Sequence, residues 1–78
     1  MKGEFYWPEE DNKLSYIGEF KDYRMHGKGV LTWKDGIIYD GEFFQDKRNG
    51  KGTFIYPDGS FYKGEWKDGK PNGYGDYY

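Results

Sequence analysis

The residues able to do chemistry are few: one histidine, His26, and a carboxylate recurring every 23 residues at Glu19, Glu42 and Glu65. A histidine acting as a general base needs an orienting carboxylate and a nucleophile within hydrogen-bond reach. His26 sits in Met25-His26-Gly27-Lys28-Gly29, and its counterparts one and two intervals on are Asn49 and Asn72. His and Asn share a tolerance of turn and left-handed backbone, so His26 reads as a turn residue. One histidine without any cysteine leaves carboxylates as the remaining ligands, at no ligand spacing, so no metal site is expected. The three glutamates form a ladder rather than a facing catalytic pair. Each is expected to accept hydrogen bonds from backbone N–H groups of the nearby Gly-x-Gly segment. Those segments, Gly27/Gly29, Gly50/Gly52 and Gly73/Gly75, lack the third glycine and the helix of a dinucleotide fingerprint. They also lack the Gly-Lys-Ser/Thr ending of a phosphate loop, and read instead as shaping the start of the next strand. No catalytic residue, cofactor or small-molecule substrate is expected, and the chain reads as a non-enzyme.

The interval itself carries more than any of these residues. Tyr-x-Gly-Glu-Phe/Trp begins at Tyr16, Tyr39 and Tyr62, and residues 16–38 and 39–61 share nine identical positions of 23. They are Tyr16/Tyr39, Gly18/Gly41, Glu19/Glu42, Phe20/Phe43, Gly27/Gly50, Lys28/Lys51, Gly29/Gly52, Asp35/Asp58 and Gly36/Gly59. A fixed period without insertion means one supersecondary unit stacked along an axis. The chain thus divides into a half repeat (1–15), repeats 16–38 and 39–61, and a partial repeat 62–78 carrying Tyr62, Gly64, Glu65 and Trp66. Gly3-Glu4-Phe5-Tyr6-Trp7-Pro8 matches Gly52-Thr53-Phe54-Ile55-Tyr56-Pro57, but the stretch after Pro8 is longer, with Glu9-Glu10-Asp11 as the extra residues.

The elements that must carry these side chains are β-hairpins. Lys34-Asp35-Gly36 and Pro57-Asp58-Gly59 fit a three-residue loop, a type I turn closed by a left-handed glycine. β-branched and aromatic residues fill the arms, and no window shows a helical period. Strands are expected near 4–7, 14–20, 29–33, 37–43, 52–56, 60–66 and 75–78. The fold class is all-β, a single-layer antiparallel sheet of successive hairpins. Alternation places Leu31, Trp33, Tyr39, Gly41, Phe43, Phe54, Tyr56, Tyr62, Gly64 and Trp66 on one face. A glycine between two aromatics leaves a recess for a ring from the neighbouring hairpin. Thr32, Asp40, Glu42, Lys63 and Glu65 take the other face, around an apolar patch of Ile38, Ile55 and Phe61.

Tyr-x-Gly-Glu-Phe/Trp followed by Gly-x-Gly and Asp-Gly on this period closely resembles the MORN repeat (membrane occupation and recognition nexus). The resemblance spans essentially the whole chain. It implies an elongated sheet of hairpins, a non-catalytic scaffold or binding platform, and a cytoplasmic setting associated with the cytoskeleton or cilia. Phospholipid binding and service as a regulatory region for an enzyme on another chain are the other roles it implies.

The chain has 78 residues, of which 23% are aromatic and 35% hydrophobic, with net charge −2 and no cysteine. Disulfides and thiolate chemistry are excluded. No Lys/Arg run exceeds two residues, which argues against nucleic acid. Lys47-Arg48 with Lys51, or Lys63, Lys67 and Lys70, are the nearest approaches to a lipid-binding cluster. No apolar run is long enough to span a bilayer as a helix. A single-layer sheet of this length buries little apolar surface, so the chain is expected to lean on a protein partner, self-association or further repeats. Candidate partner-binding residues are Ile38, Ile55 and Phe61 with Tyr77 and Tyr78, which end on an aromatic strand edge open to another chain.

Overall fold

Seven antiparallel strands follow one another in a meander in the computed structural model, which describes residues 2–78 and contains no helix among them. They are β1 (Lys2–Tyr6), β2 (Lys13–Lys21), β3 (Arg24–Trp33), β4 (Ile38–Phe44), β5 (Lys47–Ile55), β6 (Phe61–Lys67) and β7 (Lys70–Tyr77). Each strand pairs with the next in sequence, so β1 and β7 are the two edges of an open sheet.

Two kinds of turn alternate. The three-residue loops are as the sequence indicates: Gly36 N–H donates to the Trp33 carbonyl (3.1 Å) and Gly59 N–H to the Tyr56 carbonyl (3.0 Å). Both glycines are left-handed, with φ of 97° and 93°. The other turns have two residues, Asp22-Tyr23, Gln45-Asp46 and Asp68-Gly69, all six at positive φ between 47° and 82°. Positive φ at both central positions is the hairpin turn whose twist matches its strands. Because these turns are tight, β3, β5 and β7 begin at Arg24, Lys47 and Lys70, well before the expected starts at 29, 52 and 75. His26 is corrected by the same finding. It lies within β3, half-buried with its ring 5.1 Å from that of Phe44, and the left-handed residue is its neighbour Gly27 (φ 80°).

The sheet is not elongated. Its principal extents are 30 × 25 × 17 Å, because seven strands at about 4.8 Å spacing span about 29 Å, close to the length of a ten-residue strand. An elongated shape would need more units than this chain has.

A row of glycines crosses all seven strands in register: Gly3, Gly18, Gly29, Gly41, Gly52, Gly64 and Gly75. A Cβ on Gly29, Gly52 or Gly75 would fall inside the phenol of Tyr16, Tyr39 or Tyr62. The ring lying over each bare backbone thus comes from the preceding strand of the same unit, rather than from the neighbouring hairpin. Each buried phenol is anchored by its hydroxyl, which donates to a main-chain carbonyl: Tyr16 to Glu19 (2.7 Å) and Tyr39 to Glu42 (2.9 Å).

Successive units lean on one another through a continuous file of rings, Phe20, Tyr16, Phe43, Tyr39, Trp66 and Tyr62. Neighbours in it lie 4.9–5.6 Å apart, edge to face at 79–90°. Each such contact contributes about 0.5–1.5 kcal/mol beyond burial. Tyr16 and Tyr39 are wholly buried, and Leu31, Phe43, Trp66 and Met25 nearly so. The two-residue turns complete the lock. Asp46 N–H donates to the Met25 carbonyl (2.9 Å), and its carboxylate accepts from Met25 N–H (2.8 Å). One unit on, Gly69 N–H donates to the Arg48 carbonyl (2.9 Å). These bonds curl the sheet over its ring face, so that a single layer encloses a core.

Candidate functional site

The signature glutamates lie at irregularities in the ladder. Between Gly18 and Phe20, a single residue of β2 faces three of β3, and the same mismatch recurs between Gly41 and Phe43 and between Gly64 and Trp66. The extra residues bend the strand and strand an N–H without its ladder partner. The carboxylate takes it: Lys28 N–H donates to Glu19 Oε1 and Lys51 N–H to Glu42 Oε1, both at 2.7 Å. The Lys28 N–H holds the Glu19 carboxyl below its ordinary range, because a donated hydrogen bond favours the charged form. In the third unit Gly73 has open space where Gly27 and Gly50 meet a carboxylate. Glu19 and Glu42 are therefore parts of the bend, whereas Glu65 stands at the same mismatch without that carboxylate contact. Among the described residues no three His, Asp or Glu side chains converge as metal ligands.

The five candidate partner-binding residues divide between two surfaces. Ile38, Ile55, Phe61 and Tyr78 form one row across β4, β5, β6 and the end of β7, on the face opposite the ring file. Ile38, Ile55 and Phe61 are half-buried, and the Tyr78 ring stacks on Phe61 at 4.7 Å. Tyr77 points to the other face and stacks on Tyr56 at 5.9 Å. Tyr74, Tyr77 and Tyr78 are 92%, 66% and 63% exposed, so the β7 edge carries three accessible tyrosines.

Arg48 is the residue whose placement sequence reasoning misses. Its guanidinium lies over Trp33, Tyr39, Phe54 and Trp66, 5.0–6.0 Å from each ring centre, and donates from Nη2 to the Gly69 carbonyl at 2.7 Å. Burial pushes its pKa below the ordinary arginine value. Within a Lys47-Arg48-Lys51 run it reads as a solvated or lipid-facing cation, and only the ring positions 15 residues before it and 18 after it disclose the cage.

A family model of the MORN repeat matches residues 16–38, 39–61 and 62–78. The chain belongs to the MORN-repeat family. No match to it emerges among curated proteins. MORN repeats serve in protein or membrane-lipid interaction, and the present one is a hairpin-repeat sheet. In MORN terms, the Tyr and Phe/Trp of each signature build the ring file, its Gly joins the glycine row, and its Glu caps the bend in the first two units. In the first two units the Tyr rings are buried and each carboxylate already holds a backbone N–H. Accessible apolar side chains include Phe5 and Tyr6 on β1, Ile17, Tyr23 and Phe44 as well as the β7 tyrosines.

Proposed function

We propose that this MORN sheet is a non-catalytic protein-interaction module that receives a partner strand, or a second copy of itself, along the outer edge of β7. The observation that carries this reading is the edge: β7 pairs only on its β6 side and presents Tyr74, Tyr77 and Tyr78 beside the open backbone. Phe61 and Tyr78 exchange both main-chain bonds (3.0 and 2.8 Å), so by antiparallel alternation the N–H groups of Tyr77 and Gly75 point away from β6. An added strand would satisfy them while aromatic side chains anchor it. A phospholipid role has weaker support, because Arg48 is turned onto rings and Glu65 lies between Lys63 and Lys67.

Tyr77→Pro tests the reading, since proline removes an outward N–H and leaves the bonds to β6 in place. Sedimentation equilibrium of the native chain is expected to show mass rising with concentration beyond 9.3 kDa, or a stable complex with a strand-donating partner. The variant is expected to keep its β circular dichroism and to stay monomeric, with partner binding reduced at least about tenfold. Association unchanged in a folded variant would overturn the proposal.

A further inference from the structure

The cage around Arg48 recurs one unit on without its cation. Its walls are Trp33, Tyr39, Phe54 and Trp66, and 23 residues later the first three positions are Tyr56, Tyr62 and Tyr77. These three rings stay together: Tyr56 and Tyr77 stack at 5.9 Å, and Tyr62 lies 6.3 Å from Tyr77. The position of Arg48 itself becomes Pro71, which pairs with Trp66 on the same face but carries no charge. Among the described residues, no cation of the chain lies over Tyr56, Tyr62 or Tyr77.

We propose that Tyr56, Tyr62, Tyr77 and Pro71 form a receptor for an arginine side chain carried by a partner segment that lies along the open edge of β7. This deepens the strand-addition reading and rests on it by naming the side chain the added strand must present. Arg48 shows what such a group does here: a planar guanidinium lies over the rings and donates to the Gly69 carbonyl in the turn between β6 and β7. In the third unit the partner segment supplies the cation that Pro71 lacks. Lysine fits less well, because an ammonium stacks poorly and is more strongly hydrated.

The test uses a blocked Thr-Val-Arg-Val-Thr peptide and its citrulline counterpart, which keeps the planar shape of arginine but loses the charge and exchanges one nitrogen donor for a carbonyl oxygen. Titration of each into the full chain is followed by NMR. The arginine peptide is expected to shift the ring protons of Tyr56, Tyr62 and Tyr77, and to bind about tenfold more tightly than the citrulline peptide. Pro71→Arg, which fills the receptor in cis, is expected to raise the melting temperature and to weaken the arginine peptide at least about tenfold. Tyr77→Leu keeps the outward N–H but removes one wall, and is expected to erase the difference between the two peptides. Equal binding of arginine and citrulline peptides to the native chain would overturn the receptor. If both then still shift the Gly75 and Tyr77 amides, strand addition survives without it.

Discussion

Gly52→Ala is expected to unfold this chain at room temperature, although alanine is only one methyl larger. Gly52 has no left-handed backbone to lose, so the effect is steric. Its new Cβ would occupy the Tyr39 phenol, and that ring cannot retreat. Phe43 and Trp66 clamp it at 5.0 and 5.5 Å, and its hydroxyl is bonded to the Glu42 carbonyl. Ordinary overpacking costs about 1–3 kcal/mol, and a clamped ring places this case at or above the upper end. Displacing Tyr39 would also break the file between the second and third units. Gly59→Ala is the control. Gly59 is left-handed at φ 93° but has nothing within 4 Å of its would-be Cβ, so it is expected to lose only about 1 kcal/mol. Circular dichroism melts of the two variants measure the difference. Equal losses would mean that glycine is present for backbone freedom and not for the ring.

Alkaline pH should weaken the sheet between about pH 10 and 12. Burial pushes the phenols of Tyr16 and Tyr39 up from 10.0 to about 12, and each hydroxyl donates to a main-chain carbonyl. A phenolate cannot donate and would face that carbonyl oxygen. The folded pKa lies above the unfolded one, so the stabilisation is complete below pH 10 and disappears as pH rises through the folded value. At face value each phenol would contribute about 2.7 kcal/mol. Water stands close to the hydroxyls of a one-layer sheet and screens them, so about 1 kcal/mol each is the expected loss. The melting temperature of the native chain should fall over that range, and phenolate absorbance should rise late for two of the nine tyrosines. Tyr16→Phe/Tyr39→Phe should start lower, having lost two hydrogen bonds, and show a shallower alkaline fall. A native chain whose melting temperature is flat to pH 12 would contradict the burial of these hydroxyls.

Much of this architecture is written in the sequence, because it repeats. The 23-residue period, the Asp-Gly loops and strict alternation around Leu31, Tyr39 and Phe43 place the strands and separate their faces. The two-residue turns are hidden, since Asp22-Tyr23 and Gln45-Asp46 lack the Asn-Gly or Asp-Gly signal of their class. Missing them shortens β3, β5 and β7 and misplaces His26. The glycine row is hidden for a related reason. Each glycine is visible, but aligning all seven requires the one-against-three mismatch at each signature glutamate, and that is a property of pairing. The Arg48 cage gathers rings from four strands, and only the curl of the sheet brings them together.

The α-protons of Gly29, Gly52 and Gly75 offer the most direct test of the whole construction. Each of these glycines lies against a tyrosine phenol, whereas Gly36 and Gly59 occupy turns away from any ring of the file. Ring currents should move one α-proton of each of the three far upfield of those in Gly36 and Gly59, in a single proton–carbon correlation spectrum. Ordinary glycine shifts at all five positions would mean that the tyrosines do not lie on the backbone of the next strand. The ring file, the enclosed core and the β7 edge built upon them would then all be wrong.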